Sequence, residues 1–152
     1  LRLLVSGNGP LREEWGPRLR TLSGTSILVE TPDVPAEAYP ALLASSHLGL
    51  CVHRSSSQMD LPMKVVELQA VGVPVLALED GSPLEEIAPA ECGVLRFTTA
   101  RELAEQLRGV LMRDAAATNL LAQLTEQARR HSTSDWDDRW TQVMTRRLPA
   151  AP

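Results

Sequence analysis

Apolar positions along the chain fall into short runs separated by turn chemistry, and two periods alternate. Leu1 to Ser6, Ser26 to Glu30, Leu48 to Val52, Val73 to Leu78 and Gly93 to Phe97 are short, largely apolar segments. Runs of that kind suit strands covered on both faces. Between them apolar residues recur at helical spacing. One helix is predicted over Leu11 to Leu22, on Leu11, Trp15, Leu19 and Leu22, and a second over Pro35 to Ser46, on Ala38, Leu42 and Leu43. Others follow over Pro62 to Val71, from Leu84 to about Ala88, over Ala100 to Arg113, over Ala115 to His131, and from Ser134 to about Arg147.

The punctuation agrees. Gly7-Asn8-Gly9-Pro10 is turn chemistry. Gly16-Pro17 and Pro40 predict a kink or an early break in their helices. Asp33 is placed to cap the second helix, Ser82 with Glu85 resembles a capping box, and Thr98 or Thr99 caps the helix after it. Gly72 is a stop signal, and Pro74 belongs at a strand start, where no ladder donor is lost.

Strands alternating with helices predict an α/β fold with a Rossmann-like parallel sheet flanked by helices. Ligands in such folds bind beyond the C-terminal ends of the strands. Gly7 and Gly9, Thr31-Pro32-Asp33, His53 to Ser57, and Glu79 to Gly81 would lie at that edge.

The stretch from Ser55 to Glu67 carries the most chemistry. A hydroxyl-rich loop, Ser55-Ser56-Ser57, leaves an apolar strand and empties onto a helix whose first position suits Pro62. A helix N-terminus presents free N–H groups and the positive end of its dipole, so it favours anions. Lys64 adds a full positive charge there, and Glu67 follows about one turn later on a nearby face. A carboxylate in that place can accept from the hydroxyls of a sugar or pair with Lys64. Asp60 is either an acid near the ligand or a cap for the Pro62 helix. His53 ends its strand at the rim, where either a structural or a donor-site role fits.

Composition changes this picture little. The chain has 152 residues, enough for one core, and a net charge of −4 gives no basic surface for nucleic acid or anionic lipid. Cys51 and Cys92 sit in or beside apolar runs and read as small buried hydrophobes. No apolar run approaches the roughly 20 residues that span a bilayer. No Cys/His cluster has zinc spacing, no Ser/His/Asp order suggests a hydrolase, and Asp135, Asp137 and Asp138 read as an acidic first turn, so no metal is expected.

The run His53-Arg54-Ser55-Ser56-Ser57-Gln58-Met59-Asp60-Leu61-Pro62-Met63-Lys64-Val65-Val66-Glu67 resembles the signature of the chitobiosyldiphosphodolichol β-1,4-mannosyltransferase family of N-glycan assembly. Gly7-Asn8-Gly9-Pro10-Leu11-Arg12-Glu13, Tyr39-Pro40 and Trp136-Asp137 with Trp140 are similar to that family as well. The resemblance implies the donor-binding, C-terminal half of a GT-B glycosyltransferase, lacking its first strand. It implies residues 1–130 as the GDP-sugar-binding domain, and residues 131–152 as a helix packing toward the other domain, followed by a tail. It further implies mannose transfer from GDP-mannose to chitobiosyl-diphospho-dolichol at the cytosolic face of the endoplasmic reticulum membrane. GDP-mannose is then a substrate and no cofactor is needed. The dolichol-linked acceptor and the general base would belong to the absent domain, and other glycosyltransferases of the pathway are implied as partners.

By the same resemblance Ser55, Ser56, Ser57 and Lys64 contact the diphosphate and Glu67 the ribose. Gly7, Gly9, Thr31, His53 and Asp60 border the donor, with Thr31-Pro32-Asp33 beside the guanine. Related retaining enzymes carry two glutamates eight positions apart. Here the earlier position is Met59, so that pair is absent. A non-catalytic relative acting as a nucleotide-binding or protein-interaction module is the alternative reading.

Overall fold

The computed structural model describes residues 1–132 apart from Gln58, Ser82, Pro83, Ala90 and Arg113. The predicted helix from Ser134, with Trp136 and Trp140, lies outside the described residues, as does the capping position Ser82. The order is β1 (Arg2–Leu4), α1 (Arg12–Arg20), β2 (Leu28–Glu30), a 3-10 turn (Ala36–Ala38), α2 (Tyr39–Ala44) and β3 (Gly49–Cys51). Then come α3 (Met63–Ala70), β4 (Val75–Leu78), α4 (Leu84–Ile87), β5 (Val94–Phe97), α5 (Ala100–Leu111) and α6 (Ala115–Ser132). Every paired strand runs parallel to its neighbour. The chain is therefore an α/β protein of Rossmann-like parallel sheets flanked by helices.

The single sheet expected from the strand pattern is divided. β1 pairs with β2, while β3, β4 and β5 form a separate sheet in that order. Within their own sheets β1 and β3 are edge strands. Contacts group the chain into two compact units, Leu1–Ala41 and Leu42–Pro152.

In the first unit Arg2 and Glu30 form an ion pair across β1 and β2, which raises the guanidinium pKa and lowers that of the carboxyl. α1 runs through Gly16-Pro17, yet its predicted apolar stripe is not its covered face: Gly16 is buried, whereas Leu11 and Trp15 are exposed. Trp15 instead stacks under the Arg18 guanidinium, 5.1 Å from the ring centre. Asp33 does not cap a helix. Pro35 precedes the 3-10 turn, and Asp33 accepts from Arg12 at 3.4 Å. Pro40 falls in the first turn of α2, where its missing N–H breaks no bond, so the predicted break becomes a 3-10 start.

The second unit holds the larger core. Cys51, Val65, Leu68, Val73, Val75, Ala77, Leu84, Ala88 and Cys92 form one buried cluster between β3, β4 and the helices. Each buried Val or Leu contributes roughly 1.5–3 kcal/mol relative to exposure. Gly49 is required here, because a Cβ would overlap the Leu68 side chain of α3. Gly72 adopts φ +72° and its N–H donates to the Gln69 carbonyl at 2.9 Å, ending α3 as predicted. Both cysteines are buried free thiols, and burial pushes the Cys92 thiol pKa up.

Thr99 caps α5 by accepting from the Glu102 N–H at 3.2 Å, and Glu102 accepts from the Thr98 N–H at 2.7 Å and hydroxyl at 2.9 Å. These bonds to Thr98 hold the Glu102 carboxyl below its ordinary pKa. α6 packs on α3 and α5 and is preceded by Asp114, whose carboxylate accepts from the Ala117 N–H at 2.8 Å.

Candidate functional site

Because β3 and β4 are parallel, the loops that leave their C-terminal ends rise from the same edge. The first of these loops starts at Val52 and runs through the serines to α3. Backbone hydrogen bonds from β4 and close packing on α3 fix β3, so the loop begins and ends on rigid supports. Pro62 is buried and occupies the N-cap position rather than the first helical one; its carbonyl accepts from the Val65 N–H at 2.8 Å.

No side chain caps α3. Asp60, expected as an alternative cap, instead accepts from the Ser55 hydroxyl at 3.0 Å. Its own N–H donates back to Ser55 Oγ at 3.3 Å, so loop and carboxylate close a ring of contacts. Ser57 Oγ lies 3.3 Å from Ser55 Oγ and accepts from the Met59 N–H at 3.2 Å. Ser56, Ser57, His53 and Asp60 are exposed and Ser55 is half-buried. Lys64 Nζ, in the first turn of α3, donates to Glu67 Oε2 at 2.7 Å. The helix thus places these two residues together in the pair that their spacing allowed. Both remain open to solvent, with side chains 58% and 36% exposed.

The first unit holds the other expected positions. Gly7 and Gly9 leave β1 and are exposed; Thr31 follows β2 and is half-buried. β1 and β2 are parallel, so these loops also share one sheet edge. Arg12 joins them: Nη1 donates to the Gly7 carbonyl at 3.0 Å and to Asn8 Oδ1 at 2.5 Å, and Nη2 to the Thr31 carbonyl at 3.2 Å. Arg20 donates to Thr31 Oγ1 at 2.6 Å. A shallow cavity of about 390 Å³ is lined by Arg12, Glu13, Pro17, Arg20 and Thr31. Of the expected donor-site residues only Thr31 lines it.

Sequence reasoning missed Arg12 as the tie between two loops, and although it placed Glu79 to Gly81 at the sheet edge it gave Asp80 no role. Asp80 follows β4, and its Oδ2 accepts from the Ser55 N–H at 2.7 Å. The signal for Arg12 was its place just after the Gly-Asn-Gly-Pro turn. Nothing in the sequence pairs Asp80 with Ser55. Among the described residues no group of His, Cys, Asp and Glu is arranged to hold a metal ion.

Residues 1–145 match the protein family described as glycosyl transferase-like. This chain belongs to that family. Among curated relatives of this glycosyl transferase-like chain, the chitobiosyldiphosphodolichol beta-mannosyltransferase of Homo sapiens is 36% identical over 141 residues. That alignment covers 93% of this chain and 30% of the human protein. The protein of the same name in Candida albicans is 33% identical over 148 residues, 94% of this chain and 31% of its own length. The UDP-glycosyltransferase TURAN of Arabidopsis thaliana is 37% identical over 107 residues, 70% of this chain and 23% of its own length. The glycosyl transferase-like chain therefore spans about 30% of the length of the mannosyltransferases that it matches.

Proposed function

We propose that this chain is the donor-binding part of a β-1,4-mannosyltransferase that transfers mannose from GDP-mannose to a chitobiosyl-diphospho-dolichol acceptor in N-glycan precursor assembly. The observation that carries the reading is the serine loop at the C-terminal end of β3, which runs onto the start of α3 with Lys64 in its first turn. The names of the relatives from Homo sapiens and Candida albicans support the sugar and the acceptor class.

In this reading the acceptor hydroxyl attacks C1 of the mannose from the face opposite the leaving group, and GDP departs. Negative charge grows on the diphosphate as the bond breaks. The α3 N-terminus, Ser56, Ser57 and Lys64 supply donors and charge to it, while Ser55, whose N–H and hydroxyl go to Asp80 and Asp60, shapes the loop that presents them. Glu67 accepts from the ribose hydroxyls while sharing Lys64, and His53 and Asp60 border the donor. The general base and the lipid-linked acceptor site belong to other parts of the whole protein. That protein acts at the cytosolic face of the endoplasmic reticulum membrane, beside other enzymes of the pathway. No helix among the described residues is long and apolar enough to cross a membrane.

The UDP in the name of the Arabidopsis thaliana relative favours a second reading, a UDP-sugar donor in the same loop. Calorimetric titration of the chain with GDP, UDP and ADP separates the two. Preference for GDP is expected; preference for UDP or ADP rejects the mannose assignment. Lys64→Ala tests the phosphate contact. A hydrogen bond to a charged group is worth about 1.5–3 kcal/mol, and the exposure of Lys64 brings this toward 1.4 kcal/mol, about tenfold in GDP affinity. Guanosine binding should not change. Equal loss for both ligands would contradict the assignment.

A further inference from the structure

We infer that Asp80 is a positioning residue for the serine loop: it holds the Ser55 amide so that the loop keeps the shape that receives a nucleoside diphosphate. The inference rests on the diphosphate reading above and adds a residue to it. Asp80 leaves β4, the strand hydrogen-bonded to β3, so it approaches the loop from the neighbouring position on the same sheet edge. Its Oδ2 takes the Ser55 N–H at 2.7 Å, while the hydroxyl of the same serine donates to Asp60 at 3.0 Å. One half-buried serine is therefore gripped at its backbone by the next strand and at its side chain by the far end of its own loop.

A carboxylate beside a diphosphate site repels the ligand, so its place there needs a compensating role. Bonding the Ser55 N–H supplies one. It satisfies a half-buried donor and fixes where the chain turns away from β3. The turn sets the directions of the Ser56 and Ser57 hydroxyls and of the loop amides. Without the acceptor, each donor must be aligned anew when a ligand arrives, and affinity falls although no direct contact is lost.

The test uses the chain with Asp80→Ala and Asp80→Asn, because the asparagine amide oxygen still accepts from an N–H. Calorimetric titration with GDP and with guanosine is paired with amide hydrogen exchange at Ser55, followed by NMR. Asp80→Ala should lower GDP affinity about tenfold, the loss of one charge-assisted hydrogen bond. It should leave guanosine affinity within about twofold and abolish protection of the Ser55 amide. Asp80→Asn should restore both GDP affinity and protection. Equal loss of GDP affinity in the two variants would overturn the inference, since the charge rather than the acceptor would then matter. Unchanged Ser55 protection in Asp80→Ala would overturn it as well. A wild-type chain that binds no nucleotide, with protection lost only in Asp80→Ala, would instead reject the diphosphate reading and keep Asp80 as the anchor of the loop.

Discussion

Gly93, just before β5, lies against the last described helix, and Gly93→Ala tests that packing. The residue has φ +80° and leads into β5, and its carbonyl accepts from the Val75 N–H at 2.9 Å. A Cβ built there would lie 2.6 Å from the Leu124 carbonyl oxygen, 2.7 Å from Ala128 Cβ and 2.8 Å from the Ala128 nitrogen. Two of these atoms are backbone of α6, so no side-chain rotation relieves the overlap. Ala128 is fully buried and Leu124 is 5% exposed, which leaves the helix little room to retreat. An L-residue at this φ costs about 1–2 kcal/mol. Overpacking of one methyl against a fixed wall adds about 1–3 kcal/mol. The sum is roughly 2–5 kcal/mol, or about 10 °C in Tm for a chain of this size. Urea denaturation followed by circular dichroism reads the free energy, and differential scanning calorimetry reads the Tm. Gly109→Ala is the control. It lies in α5 with no heavy atom within 4 Å of a built Cβ, and should gain about 0.5–1 kcal/mol from helix propensity. A Gly93→Ala protein within about 2 °C of wild type would refute the claimed contact between β5 and α6.

Other perturbations probe separate elements. Arg12→Ala removes the guanidinium that ties the Gly7–Asn8 turn to Thr31, and should destabilise by about 1–3 kcal/mol. Limited proteolysis should then cut first between Gly7 and Pro10, and a cleavage pattern unchanged from wild type would contradict the tie. Glu102 has a folded-state pKa below its unfolded value, so its contribution is present above the unfolded pKa and is lost as pH falls through the folded one. Glu102→Gln should therefore lower Tm at neutral pH and narrow the gap between mutant and wild type in acid; a parallel offset at every pH would argue against the cap. Cys51 and Cys92 are 4% and 2% exposed, and burial raises the Cys92 pKa, so neither should react with Ellman's reagent until urea unfolds the chain. Fast labelling in native buffer would show that the core around β3 and β4 opens.

Local chemistry was sufficient for several signals whose effect lies within one turn, though not for the caps expected of Asp33 and Asp60. Gly72 ends α3, Thr99 and Glu102 open α5, and Lys64 meets Glu67, because each bond joins residues only a few positions apart. Apolar runs likewise disclosed the five described strands, but the covering on both faces that such runs suggest holds only for most of β4; Leu28 of β2 and Leu50 of β3 are exposed, and β1, β2 and β5 carry Arg2, Glu30 and Arg96. Strand ends were less legible: β1 and β2 are shorter than their apolar runs, because pairing stops where the partner strand stops.

What the sequence determined, then, was the alternation of elements and the sharing of a sheet edge by the serine loop and the start of α3, both consequences of short-range period and parallel order. Only the tertiary structure decided which partner each polar group found. Asp60 turned from a helix cap to Ser55, Asp33 turned to Arg12, and Asp80 reached the Ser55 amide across 25 positions of chain. A hydrogen-bond donor donates to whichever oxygen the packed strands bring within about 3 Å, and that choice is made by the fold and not by distance along the sequence.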